Sequence, residues 1–342
     1  MKYTIGYQLP DEYDSTYAIC QEYSHAISEV YFPWGSEPSG RSALCDAEDA
    51  DLVEAHQLEE LKAIRELGIR LALLLNSNCY GSQAISQKTK DRILTIADTL
   101  KSELDIDSIT TASPFLAYIL KREFGDAVRI RASVNMRVGT VDAMEHLSEC
   151  FDGYYMQREL NRDFTAIHTL KAWCDAHQKS LHLLANSGCM RNCAFQTFHD
   201  NMVAHESDIV KTENVRLRFP SPCWEYLHKL PQKKALENYL HSTWIRPEDI
   251  HHYEPYFAEA KLATRMHQRP RMVVAAYARE HFAGNVMDLT EPSYSRLFPG
   301  KVLDNTLFPP DWFEKTTQCS KNCDSCGYCA AVAEKALTTM SF

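Results

Sequence analysis

The chain has 342 residues, 45% of them hydrophobic and 24% charged, which suits one large globular domain or one domain with a tail. Its formal net charge of −10 argues against a broad basic face for nucleic acid and leaves that role only to a local patch. No apolar run approaches the ~20 residues that span a bilayer, and the opening Met-Lys-Tyr-Thr-Ile-Gly-Tyr lacks the apolar core and cleavage site of a signal peptide.

Residues 3–8 read as a strand and 17–27 as a helix. A short strand at 29–32 precedes a Pro/Gly/Ser loop that carries Trp34 and runs through Arg41, long enough to serve as a lid or binding loop. Apolar residues recur at helical spacing over 52–67. The strongly apolar run 70–76 follows as a strand and leads to Asn78, Cys79 and Tyr80. Next come a helix over 90–104, a strand over 108–112 and a helix that Pro114 opens and that runs to Phe124. A strand over 129–135 ends in Asn135 and Arg137, and Thr140 caps a helix over 141–150. The strand at 153–156 runs into Gln157-Arg158-Glu159, and a helix over 164–177 leads to the strand 181–185. Residues 214–218 make one more strand.

Eight strands with helices between most of them predict parallel pairing, and eight such units predict an α/β fold, a (β/α)8 TIM-like barrel. A doubly wound open sheet is the alternative, but no Gly-x-Gly-x-x-Gly follows the first strand. In either architecture the ligand site lies beyond the carboxyl ends of the strands. That rim collects Asn76, Asn78, Cys79, Asn135, Arg137, Gln157, Arg158, Glu159, Asn186, Cys189 and Cys223. Beyond Cys223 the alternation weakens. Residues 231–238 are basic and helical or loop-like, 244–250 read as a strand followed by a Pro-led helix start, and 260–264 suggest a strand. A helix over 272–282 and an irregular Pro- and Phe-rich stretch over 291–312 lead to the tail 313–342. The division expected is a barrel over 1–285 and an irregular, cysteine-rich extension over 286–342.

The expected location is cytoplasmic, where thiols stay reduced. Twelve cysteines in such a compartment point to metal or cluster ligation before disulfides. After the strand 181–185, the turn Asn186-Ser187-Gly188 leads to Cys189 and Cys193, and Cys223 follows Pro222 downstream. Closely spaced thiolates can converge on one centre. A [4Fe-4S] cluster takes four ligands, so the fourth is Cys79 or a tail cysteine, or one iron stays open to substrate. The plainer reading of the same cysteines is small buried hydrophobes. Cys319, Cys323, Cys326 and Cys329 crowd four thiols into eleven residues, a spacing suited to a second iron–sulfur cluster or to a tetrahedral zinc ion. His199 and His205 stand six apart, so on one helix they point in different directions and rarely share a metal. His199 is instead a candidate proton donor, or simply a hydrogen-bonded helix histidine. Arg158 and Arg137 are candidate clamps for an anionic substrate and Glu159 a candidate general base, each also readable as an internal ion pair. Neither His-Glu-x-x-His nor Gly-x-Ser-x-Gly occurs, so the sequence offers little for a metalloprotease or a serine nucleophile.

Three stretches together resemble the U32 family, historically named as collagenase-like peptidases. They are Arg158-Glu159-Leu160 after a strand, Gly188-Cys189 with Cys193, and Trp244-Ile245-Arg246-Pro247-Glu248-Asp249-Ile250 followed by Lys261-Leu262-Ala263-Thr264-Arg265. The resemblance runs from about Asn76 to Arg265. It implies a barrel-like domain and cysteine ligands for a [4Fe-4S] cluster. It also implies oxygen-independent hydroxylation of ubiquinone precursors or RNA bases with prephenate as the oxygen source, while peptidase activity is claimed for other members. The expected function is therefore an iron–sulfur enzyme acting on a small anionic or aromatic molecule by hydroxylation or a related redox or Lewis-acid step, served by an electron or oxygen donor. A U32-type peptidase and a non-catalytic iron–sulfur subunit of a hetero-oligomer are the alternatives.

Overall fold

In the barrel strands, alternate side chains face opposite sides of the sheet, so each strand serves two environments. The computed structural model describes residues 1–205 and 221–339. Eight parallel strands close into a (β/α)8 barrel: β1 (Lys2–Gly6), β2 (Ile27–Phe32), β3 (Arg70–Leu75), β4 (Ser108–Thr111), β5 (Arg129–Ala132), β6 (Gly153–Tyr155), β7 (Ser180–Leu184) and β8 (Glu259–Lys261). Neighbours pair in chain order and β8 returns to β1. Between them run α1 (Thr16–Glu22), α2 (Ala50–Glu66), α3 (Gln87–Leu104), α4 (Pro114–Phe124), α5 (Val141–Glu145) and α6 (Phe164–Ala176). Ser15, Ser86, Ser113, Thr140 and Asp163 cap five of these helices with their side-chain oxygens.

The outward face of the barrel is apolar. Val30, Phe32, Leu71, Leu73, Leu75, Ile109 and Ile130 join the surrounding helices in one continuous core. The lumen is not. Only Tyr31, Ala72 and Leu74 form an apolar cluster of their own there. Glu29 of β2 takes two hydrogen bonds, at 2.7 and 2.9 Å, from the Arg131 guanidinium of β5. Glu259 of β8 pairs with Arg70 of β3 and accepts from the Ser28 hydroxyl at 2.8 Å. The Lys261 ammonium lies 3.7 Å from the ring centre of Tyr31 and 4.9 Å from that of Tyr155. These contacts join strands that are not neighbours in the sheet, so they cross the lumen. Most barrels of this kind fill that space with branched aliphatic side chains; here ions and rings do so.

The sheet closes through β8, a three-residue strand at 259–261. The strand expected at 214–218 falls outside the described residues. Residues 244–246 are not a strand: Ile245 donates to the Ala185 carbonyl at 2.8 Å, and the chain turns at once into the 3-10 helix Pro247–Tyr253. Ile27, expected at the end of a helix, begins β2 instead, because α1 stops at Glu22. Beyond the sixth helix lie α7 (Gln196–Ala204), α8 (Pro222–Lys229), α9 (Gln232–His241), α10 (Pro270–Ala278), α11 (Trp312–Thr317) and α12 (Tyr328–Ala336). A small antiparallel pair, β9 (Lys301–Leu303) with β10 (Leu337–Thr339), ties the tail back. Val332, Ala333 and Ala336 of α12 are buried in the same core as Trp312 and the barrel. No helix among the described residues is long and apolar enough to cross a membrane.

Glu29 is fully buried and Arg131 nearly so. Removing one partner strands the other charge. Glu29→Ala is expected to lower stability by about 3–5 kcal/mol, and the paired change Glu29→Met with Arg131→Met by much less. Urea unfolding of the three chains measures the difference.

Candidate active-site cavity

The site grows from the carboxyl end of β7. There the apolar run ends and Asn186, Ser187 and Gly188 turn the chain outward. Asn186 is fully buried and its amide is used on both sides. Its oxygen accepts from the Ala263 backbone at 2.6 Å, just past β8, and its nitrogen donates to the Leu289 carbonyl at 2.9 Å. The backbone of the same turn pairs with Glu291 through two further bonds of 3.0 Å. Gly188 makes this approach possible, since a Cβ there would run into the Pro292 carbonyl oxygen. Cys189 leaves this anchored turn, and Cys193 precedes α7, its carbonyl accepting from Gln196 at 3.1 Å. Cys223 sits in the first turn of α8, behind Pro222, whose fixed φ suits the first helical position.

The three thiols line one cavity of about 430 Å³ beyond the carboxyl ends of the strands. Arg41, Arg158, His199, Asp200 and Tyr294 share its wall. Burial pushes the Cys223 thiol up, and the neighbouring Cys193 and Cys189 add to that. The Tyr294 phenol is raised by burial and then by all three sulfurs, which places them within electrostatic reach of a single hydroxyl. Arg41 hydrogen-bonds Cys189; burial works against its charge, but Cys189, Glu291 and Asp200 hold its pKa above the ordinary value. Burial, then Arg41 and Arg158, hold His199 below its usual pKa. Burial raises the Asp200 carboxyl while Arg158, Arg41 and Arg137 oppose the rise, and its Oδ2 is buried with no hydrogen-bond partner.

Of the residues singled out in the sequence, Cys189, Cys193, Cys223, Arg158 and His199 meet here. Arg158 is buried and donates to the Ser187 hydroxyl at 3.1 Å. Glu159, beside it in the 3-10 turn Arg158–Leu160, is half-buried and does not line the cavity. Arg137 is exposed, with φ of 54°, and reaches the site only through its field on Asp200. Cys79 lines a separate cavity of about 270 Å³ with Tyr80, Arg92 and His205, and its sulfur accepts from the Gly81 amide at 3.3 Å. Arg41, Asp200, Glu291 and Tyr294 carried no motif. Only the position of Arg41 at the end of a long loop hinted at a role.

The tail cysteines form a second group. Cys319, Cys323, Cys326 and Cys329 line one cavity of about 510 Å³ between α11 and α12, with His241 and Lys321. Burial pushes the Cys329 thiol up to about 11, with Cys323, Cys319 and Cys326 adding and Arg162 opposing. Arg162 lies beneath them, 5.5 Å and 5.2 Å from the ring centres of Trp244 and Trp312, and donates to the carbonyls of Leu240 and Trp244 at 2.8 and 2.9 Å. Arg191, between Cys189 and Cys193 in sequence, acts on Cys323, so one loop stands between the two sulfur groups. Among the described residues no three His, Cys, Asp or Glu side chains are arranged to hold a single metal ion. A cluster differs from a single ion in that its thiolates attach to separate irons. The donor set of each cavity, three thiols beside two guanidinium groups and four thiols above a buried arginine, suits a negatively charged cluster.

Asn186→Ala is expected to leave the Ala263 amide and the Leu289 carbonyl unpaired at roughly 2–4 kcal/mol of stability. It should also speed the reaction of Cys189 with a thiol reagent. Urea unfolding and labelling kinetics followed by mass spectrometry measure both.

No family model matches the chain. An uncharacterized protease of Methanocaldococcus jannaschii is 24% identical over 308 residues, covering 87% of this chain and 85% of the relative. The solved structure of the U32 peptidase Mk0906 superposes with a TM-score of 0.54 at 14% identity, over 77% of this chain and 92% of that one, and so shares the fold. The barrel, the stretches at 158–160, 188–193 and 244–265, and the 24% identity with the archaeal relative make this chain similar to U32 peptidase-like proteins, with whose solved representative it shares the fold.

Proposed function

We propose that the protein is an iron–sulfur enzyme that acts on a small anionic or aromatic molecule, by oxygen-independent hydroxylation or a related redox or Lewis-acid step. One observation carries this reading: Cys189, Cys193 and Cys223, from separate stretches of the chain, line a single cavity at the mouth of the barrel. They would hold a [4Fe-4S] cluster with one iron free of a cysteine ligand, and the tail quartet would hold a second cluster or a zinc ion. Such a cluster, when bound, supplies an electrophilic or redox-active iron.

The rest belongs to the chain's own groups. Arg41 and Arg158 neutralise the thiolates and attract an anionic substrate. His199, kept uncharged by burial and by two arginines, is placed to accept a proton from a group in the cavity. The buried, unpartnered Asp200 oxygen is a further acceptor on the same wall. Glu159, away from the cavity, has no part in this chemistry. A cytoplasmic protein served by an oxygen donor such as prephenate, alone or within an oligomer, is consistent with the reading.

The name of the archaeal relative supports a second reading, a peptidase. It needs one thiol activated as a nucleophile; Arg41 lies against Cys189, and His199 shares the cavity wall with all three thiols.

Iron and acid-labile sulfide in anaerobically purified protein test the proposal. About four irons per chain are expected with one cluster and about eight with two. Cys189→Ser should empty the barrel-mouth centre and spare the tail centre, and Cys326→Ser should do the reverse. Zinc alone, or proteolysis that survives iron chelation and fails after loss of one cysteine, would defeat it.

A further inference from the structure

Beneath the thiol-lined cavity lies a smaller one of about 80 Å³, inside the mouth of the barrel. The two share Arg41, Asn135, Arg158, Met266 and Glu291 in their walls, so they lie against each other. The floor of the smaller one is set by Lys261 and Arg265, each 9% exposed.

Arg265 is held there with some effort. Gln8 donates to the carbonyls of Thr264, Arg265 and His267 at 2.7, 2.9 and 2.8 Å, and the Thr264 hydroxyl accepts from the Gly6 amide at 2.7 Å. A Cβ on Gly6 would lie 2.7 Å from the Arg265 Cβ, so only glycine lets the turn pass so close over β1. One guanidinium nitrogen of Arg265 donates to the Ser39 hydroxyl at 2.6 Å, while Nη2 is buried with no partner. The Lys261 ammonium faces the rings of Tyr31 and Tyr155. Among the described residues, none of Arg41, Arg158, Lys261 and Arg265 forms an ion pair, and Glu291 is the one carboxylate in the wall.

Four basic side chains stand against one carboxylate in this wall; Arg41 and Arg158 also face the thiols and Asp200, but Lys261 and Arg265 have no acid partner there, a costly arrangement for buried groups. Buried donors without partners are also rare unless something fills the place. Burial, with Arg265 and Arg131 adding and Glu29 opposing, lowers Lys261 to about 7, so its charge is the one in this wall that a bound anion would strengthen.

We propose that this floor is an anion subsite that takes the carboxylate of a small organic acid, with Arg265 Nη2 and Lys261 Nζ as its donors. The space is large enough for a carboxylate and little more. The body of the acid therefore extends upward, past Arg158, into the chamber where Trp224 and Tyr294 offer aromatic faces beside the three thiols. The direction in which the ligand extends rests on the function proposed above; the subsite itself requires no iron.

Calorimetric titration of the purified full-length chain with phenylpyruvate, its methyl ester and succinate tests this. Phenylpyruvate should bind one per chain, and the ester, which lacks the charge, roughly 10–100-fold more weakly. Lys261→Met and Arg265→Gln should each weaken phenylpyruvate by a similar factor and leave iron content unchanged. Titrations at pH 8 in buffers of different ionisation enthalpy should show proton uptake on binding, and Lys261→Met should abolish it. Equal affinity for acid and ester, no binding of either acid at millimolar concentration, or unchanged affinity in both folded variants would overturn the subsite. Loss of iron with retained binding of phenylpyruvate would instead count against the cluster alone.

Discussion

The site depends on one buried amide. Asn186 stands just past β7 and joins three separate pieces of chain: its own turn, Ala263 just past β8, and the segment that leads to Glu291. A carboxylate in its place would accept from Ala263 but could not donate to Leu289, and a leucine would do neither. Because the amide is fully enclosed, both of its bonds are made in low dielectric, where failure to make them is expensive. Gly188, two residues on, lets backbone touch backbone at the same place. The turn that carries Cys189 is thus fixed at its root, although the loop beyond it runs over the surface. For the cluster proposed above, fixed ligands would spare the ordering cost that flexible ones add to binding.

The second constraint is the polar lumen. A barrel filled with aliphatic side chains is stabilised by their packing and is indifferent to what happens at its mouth. Here the lumen carries Glu29 with Arg131, Glu259 with Arg70, and an ammonium against two phenol rings. These interactions are directional, so they specify the register of strands that never touch. They also deliver charge to the rim. Lys261 is the last residue of β8 and Arg265 follows four residues later, so the strand that closes the sheet also equips the floor of the cavity. Fold and electrostatics have one origin in this part of the chain.

The outer face of the barrel was legible in the sequence because packing against helices demands apolar residues at alternate positions. The run at 70–76 shows that apolar face as part of a continuous apolar stretch, and the Pro114 helix answers it with its own apolar stripe at helical spacing. β8 was harder to place for the opposite reason. Glu259 and Lys261 face the lumen, so the strand shows two charges and one alanine and has no apolar pattern to read. The cysteines announced themselves by type and spacing, and the Asn-Ser-Gly break located their turn. Arg41, Glu291 and Tyr294 come to the same cavity from a loop after β2 and from a segment a hundred residues past β7. Contacts so distant in sequence leave no local pattern. Cys79 and Glu159 show the reverse limit: both follow strands, yet the turns after β3 and β6 carry them away from the thiol-lined cavity. The end of a strand gives a side chain's rim, not the direction in which the following turn sends it.

Diffraction data collected on either side of the iron absorption edge, from crystals grown without oxygen, test the central claim most directly. The account predicts an anomalous iron peak bounded by the sulfurs of Cys189, Cys193 and Cys223. A cavity in such crystals in which those three sulfurs bond no iron would contradict it.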